Sequence, residues 1–227
     1  MKRFLIAATL ALSLAGCASA PDRPRFGMAL TPQANPSAVI AAELAFARRA
    51  QEKGQWAAFR MTAAAGAEMF APQRVKAADW LKGRAEPLSA VRWQPHAVWS
   101  SCDGSFAVTR GGWESPNASG SYATIWQRQK NGELKWIADM SLTADGAAAA
   151  PEMIAARVAE CKSPPSEPRL TPVADTDWQT GTSLDRTLVW GTGVSPQGAR
   201  AVKVALWNGA SFETVLEQTV PAPVAAR

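Results

Sequence analysis

The chain has 227 residues, with 24 basic and 19 acidic side chains and a formal net charge of +5. Its charges are interspersed, with no basic run of the kind nucleic acid requires, so a nucleic-acid partner is excluded. A single histidine and three cysteines rule out a multi-histidine or all-cysteine metal site, and neither a metal nor a cofactor is expected.

Lys2 and Arg3 precede an uncharged apolar run from Phe4 to Ala15. That length suits the core of a signal peptide and falls short of the about 20 residues a membrane-spanning helix needs. The run ends in Leu14-Ala15-Gly16-Cys17, which resembles the lipobox of bacterial lipoproteins: small residues before the cut, a thiol after it. The resemblance implies that residues 1–16 are removed and that Cys17 is acylated and anchors the chain to a membrane. Ala18, where an aspartate favours inner-membrane retention, implies the outer membrane, facing the periplasm. The alternative is an ordinary secretory signal cut near Ala18 or Ala20. An oxidising periplasm makes a disulfide between Cys102 and Cys161 the expectation, with two buried free thiols as the alternative.

Residues 17–36, with Pro21, Pro24, Pro32 and Pro36, read as a tether. Residues 37–53 read as a helix capped by Ser37 and closed by Gly54, with Val39, Ile40, Leu44, Phe46 and Ala47 as its apolar stripe. A second helix over about 55–65 carries Trp56, Phe59 and Met61, and a short third one near Lys76 to Lys82 carries Trp80 and Leu81. Four strands follow, at about 90–101, 105–114, 120–129 and 134–142. Asp103-Gly104 and Asn131-Gly132 make two-residue hairpin turns and a loop with Pro116 joins the middle pair. Pro151 to Cys161 reads as a short helix from Met153, Ile154 and Val158. Residues 163–183 form a Pro-rich linker, and 184–227 a small β extension with strand-like runs near 184–190, 199–207 and 211–219. No internal repeat is found.

Three helical pieces before a four-strand meander predict an α+β fold, with the helices packed on a curved antiparallel four-strand sheet over residues 37–162. Three stretches support this: Ala42 to Phe59, the hairpin around Trp93-Gln94-Pro95-His96-Ala97-Val98-Trp99 and Asp103 to Trp113, and the hairpin of Gly120 to Arg128 with Asn131 to Asp139. Together they resemble the nuclear transport factor 2-like superfamily, also called cystatin-like or polyketide-cyclase-like, over about residues 37–142. The resemblance implies a cone with a pocket between the concave sheet face and the helices. It does not imply one function.

The turns set a register. Trp126 is placed opposite Ile137, Thr124 opposite Asp139, Tyr122 opposite Ser141, Val98 opposite Thr109, and His96 opposite Gly111, with open space beside it. Tyr122, Thr124, Trp126, Ile137 and Asp139 then share one face, and Ala123, Ile125, Trp136, Ala138 and Met140 the other. Both faces are apolar, so the helices cover one, and the tail or a second subunit covers the other. The candidate ligand-binding residues are His96, Arg110, Tyr122, Trp126 and Asp139. The catalytic candidates are Asp139 as a base, with Tyr122 polarising a carbonyl or His96 assisting. Each has a plainer reading: Asp139 as a structural acceptor, His96 and Arg110 as strand residues, Tyr122 and Trp126 as core, Asp103 as a turn residue. The chain has no Gly-rich phosphate loop and no Ser-His-Asp order. The leading expectation is a non-enzymatic, lipid-anchored envelope protein that binds a small apolar or aromatic molecule or a partner protein. A small lyase or isomerase and a homodimeric assembly module stand as alternatives.

Overall fold

The computed structural model describes residues 34–143, 149–162 and 167–222. The stretch read as a signal peptide, Cys17 and most of the stretch read as a tether lie outside them. The first helix, α1 (Pro36–Lys53), starts one residue earlier than the sequence suggests, because Asn35 rather than Ser37 is its cap. The Asn35 Oδ1 accepts from the Ala38 N–H at 3.1 Å, and Pro36 fills the first turn, where no N–H is needed. Gly54, at φ +101°, turns the chain directly into α2 (Gln55–Thr62). No local side chain caps α2. The carboxylate of Glu86 does so from a distance, accepting from the N–H groups of Trp56 (2.7 Å) and Ala57 (2.8 Å). A Cβ at residue 54 would sit 2.6 Å from that carboxyl carbon, so the cap also requires glycine there.

Next come β1 (Ala63–Phe70), β2 (Arg74–Lys76) and α3 (Ala77–Leu81), then β3 (Arg92–Ser100), β4 (Phe106–Ser115), β5 (Ala118–Arg128), β6 (Leu134–Thr143) and β7 (Ala155–Val158). The tail supplies β8 (Asp177–Thr182), β9 (Leu188–Val194), β10 (Arg200–Trp207) and β11 (Phe212–Val220). The expectation of helices on a four-strand antiparallel sheet with a small extension is overturned. The sheet is seven-stranded and mixed, in the order β2-β1-β6-β5-β4-β3-β7, and β8–β11 make a second, four-stranded sheet. The β3–β6 meander is there, but its free edges are covered. β1 runs parallel to β6, and β7 runs parallel to β3. An unpaired sheet edge leaves backbone N–H and C=O groups without partners, and this outweighs local preference. The alanines of β1 read as helix, and Met153, Ile154 and Val158 suggested a helix where β7 forms instead. β8 lies in the stretch read as linker.

Three layers result. On one face of the seven-stranded sheet, Val39, Phe46 and Ala50 of α1 and Phe59 of α2 pack on Val98, Trp126 and Trp136. On the other, Val108, Ile125, Met140 and Leu142 meet Leu188, Val202, Val204 and Leu206 of the second sheet. Each Val, Leu, Ile, Met or Phe side chain among them stabilises the fold by about 1.5–3 kcal/mol on leaving water. The face open to a second copy in the sequence reading is thus occupied by β8–β11 of the same chain.

The β3–β6 meander and the β8–β11 sheet also repeat one pattern. In each set of four strands, a Ser-x-Asp-x-Ser/Thr turn joins the first two (Ser101 to Ser105, Ser183 to Thr187), a Ser-Pro turn joins the middle pair, and an Asn-Gly turn the last two. The first turns interlock reciprocally. Asp103 N–H donates to Asp185 Oδ2 (2.8 Å) and Asp185 N–H to Asp103 Oδ2 (3.1 Å). Likewise Cys102 N–H donates to Thr187 Oγ1 (2.9 Å) and Leu184 N–H to Ser105 Oγ (3.1 Å). The Cys102–Cys161 disulfide is formed, with Cα atoms 5.4 Å apart. It ties β7 to this turn, where Glu160 N–H also reaches Trp207 C=O of the second sheet (2.8 Å).

The matched turns differ at one position. Gly104 (φ +66°) and Arg186 (φ +64°) are both left-handed, and only the first is glycine. Arg186→Gly is therefore expected to raise stability by up to about 1 kcal/mol, and Gly104→Arg to lower it by a similar amount or more. Urea unfolding of the two variants checks this; equal destabilisation by both would contradict the equivalence of the turns.

Candidate functional site

A cleft of about 260 Å3 opens between α2, α3 and the helix-facing side of the seven-stranded sheet. This is close to the ~300 Å3 lower bound of small-molecule pockets. Its walls are aromatic. α2 presents Trp56 and Phe59 three residues apart, on one side of the helix. α3 presents Trp80, which meets Trp56 edge to face at 5.0 Å. Trp93 on β3 and Trp113 on β4 are cross-strand partners. Tyr122 and Asp139 line the sheet side. All four tryptophans keep partial exposure.

Below this cleft lies Glu43, which the sequence reading missed. It occupies a core position of α1, in line with Val39, Phe46, Ala47 and Ala50, and is 0% exposed. Its Oε1 accepts from Trp93 Nε1 (2.8 Å), and its Oε2 accepts from Thr109 Oγ1 (2.5 Å) and Trp126 Nε1 (3.0 Å). Burial pushes its pKa up, and the hydrogen bonds from Thr109, Trp93 and Trp126 pull against that without cancelling it. The signal available in the sequence was an acidic residue in the middle of an apolar helical stripe.

Asp139 stands across β5 from this group. Thr109, Thr124 and Asp139 are neighbours on β4, β5 and β6. Thr124 Oγ1 donates to Asp139 Oδ2 at 2.8 Å. Asp139 keeps an opening onto the cleft, yet burial raises its carboxyl to about 7; the Thr124 bond lowers it, and the charge of Glu43 adds to the rise. Tyr122, 6% exposed, has its hydroxyl pushed well above 10, first by burial and then by the negative charges of Glu43 and Asp139. The hydroxyl faces Glu43, which acts on it by charge and as a hydrogen-bond acceptor, in a contact that falls outside strict hydrogen-bonding geometry. Gly111 lets the Tyr122 ring lie flat on the sheet: a Cβ there would come within 1.9 Å of Gln94 O and 2.8 Å of Tyr122 Cε1.

The five sequence candidates do not form one site. Tyr122 and Asp139 share the cleft. Trp126 is 1% exposed and buried below it on Glu43. A bulge in β3 pairs Pro95 rather than His96 with Gly111, and the space expected beside His96 holds the Gln94 carbonyl and the Tyr122 ring. His96 instead lines a neighbouring open depression with Arg48, Arg92 and Glu114. Burial and then the Arg110 charge lower its pKa. Arg110 alternates with Thr109 on β4, so it leaves the sheet on the face away from the cleft. Among the described residues, no three His, Cys, Asp or Glu side chains gather as a metal site would need.

A carboxyl raised to about 7 binds a proton more readily in the folded than in the unfolded chain. Its cost is absent below pH ~4, where both states are protonated, and grows as pH rises to ~7, reaching on the order of a few kcal/mol. Asp139→Asn keeps a carbonyl acceptor for Thr124. It is expected to raise the Tm at pH 8 and to leave it nearly unchanged at pH 4, as read by circular dichroism. Loss of the folded state at both pH values would make Asp139 a structural acceptor alone. The chain matches no family model and no curated protein.

Proposed function

We propose that this chain is a lipid-anchored envelope protein whose aromatic cleft binds a small, largely apolar or aromatic molecule. One observation carries the binding reading: four partly exposed tryptophans surround a carboxyl that has one oxygen unbonded and that the fold holds at a cost to stability. Apolar rings left partly in water and polar atoms left unpaired are both unfavourable, and a bound molecule relieves both. Native mass spectrometry of the gently purified full chain is expected to reveal a small bound mass. Indole, as a neutral aromatic probe, is expected to bind in titration calorimetry and to lose about tenfold or more in affinity in Trp56→Ala. No indole binding at millimolar concentration, with no copurified mass, would defeat this reading.

The Asp139 value of about 7 favours a second reading, a lyase or isomerase in which Asp139 is the base and Tyr122 polarises a carbonyl. His96 lies in another depression and has no part in it. Incubating any copurified molecule with the protein separates the two readings: chemical change that is lost in Asp139→Asn supports the enzyme, and unchanged recovery supports binding.

The anchor reading rests on the apolar run ending in Leu14-Ala15-Gly16-Cys17. The wild-type chain is expected to enter the detergent phase on Triton X-114 partition and Cys17→Ser the aqueous phase. Identical partition of the two would rule out acylation at Cys17.

A further inference from the structure

We infer that the cleft selects a small organic cation, an alkylated or protonated amine on an apolar body, with its positive charge at Asp139 and its substituents against the tryptophan rings. This inference rests on the cleft being a ligand site and adds the charge of the ligand.

Asp139 and Glu43 are close enough for the charge of one to raise the pKa of the other, yet neither belongs to an ion pair among the described residues. Buried acids are ordinarily paired or neutralised. Glu43 is satisfied by three neutral donors. Asp139 takes one, Thr124, on Oδ2, and no described residue donates to Oδ1, on a group open to the cleft.

Among the described residues lining the cleft none is basic, and Asp139 is the one charged side chain. Cationic side chains around the cleft are engaged elsewhere: Arg74, 5.0 Å from the ring centre of the cleft-lining Phe70, pairs with Glu68 and Asp177. Arg60 is held by Glu86 and the Leu81 carbonyl. Arg84 stacks on Trp80, 3.5 Å from the ring centre, without lining the cleft. An anionic ligand would meet Asp139 with nothing to offset the repulsion. A cation gains twice, from the carboxylate and from the electron-rich faces of the rings, as in sites for quaternary ammonium groups.

Titration calorimetry on the full chain tests the inference with choline and its neutral isostere, 3,3-dimethylbutan-1-ol, with indole reporting on the cleft itself. Choline is expected to bind at least about tenfold more tightly than the isostere at pH 8, and Asp139→Asn to remove most of that difference. Wild-type protein supplies an arm that needs no variant. The ionisable groups facing Asp139 are Glu43 from α1 and Tyr122 from β5. With Asp139 near 7, choline affinity is expected to rise about tenfold from pH 6 to pH 8, while indole affinity stays level. Equal binding of choline and its isostere, or a flat choline profile, overturns the cation. Indole binding without choline binding overturns it while leaving the ligand site intact. Failure of all three probes overturns both.

Discussion

The β3–β6 meander is apolar on both faces, and neither face can be left to water. Val108, Ile125 and Leu142 on one side and Val98, Trp126 and Trp136 on the other are at most 2% exposed. A sheet with two such faces needs two covering layers, and here one chain provides both, helices before the meander and a second sheet after it. The reciprocal hydrogen bonds between the Ser101–Ser105 and Ser183–Thr187 turns fix where the second sheet sits, because each carboxylate accepts from the other turn's backbone. With much of that face sealed by apolar packing, the buried carboxyl of Glu43 and the cleft-lining carboxyl of Asp139 both lie on the helix side. The row of Thr109, Thr124 and Asp139 faces α1 and α2 there, and the cleft is the part of this interface that the helices leave open.

Much of this was legible in the sequence where turns dictate geometry. Asn131-Gly132 placed Thr124 opposite Asp139 and Tyr122 opposite Ser141, and the structure keeps both pairs. Register failed beside that turn, whose loop has three residues, Lys130 to Gly132, with the Gln129 N–H on the Glu133 C=O, so the ladder next to it runs one residue off the two-residue expectation. Trp126 therefore pairs with Trp136, which goes to the helix side, while a bulge at Ile137 leaves that residue in the other core and restores the expected pairs beyond it. The bulge in β3 moved His96 away from Gly111 in the same way. Such a bulge inverts facing beyond it, and no local residue type announced either one. β1 and β7 were hidden for another reason: their strand conformation answers the exposed edges of β6 and β3, a demand that exists only once the sheet is built.

The repeated pattern of turns was also present in the letters and was not seen. Asn131 and Asn208 each accept from the N–H two residues on, and Gly132 and Gly209 follow in the left-handed region. Between these anchors the strands share little beyond alternation, and their lengths differ, so no fixed period exists to detect. Hydrogen bonding at the turns holds the equivalence, and the strand residues are left free to suit different neighbours. In the first meander, one face takes up Glu43, Thr109 and Tyr122 against the helices. In the second, Trp190 lies over Gly181 and Trp178 over Gly191, an arrangement of rings on glycines. Two copies of one scaffold thus carry different chemistry, and the aromatic cleft belongs to the copy beneath the helices.

Glu43 shows why that cleft is more than a gap left by packing. An apolar residue on α1 would fill its place without the penalty of burying a carboxyl, and a pair of buried acids with no cation between them weakens the fold further. Core packing gives no reason for that arrangement, since Trp93, Trp126 and Thr109 then have to turn their polar atoms inward to serve it. Those same bonds, however, fix the Trp93 ring that walls the cleft and hold a negative group behind Tyr122, beside the opening where Asp139 is reached. The destabilising feature and the concave surface share the same side chains. A fold that keeps both has its least favourable electrostatics where a positively charged visitor would relieve them.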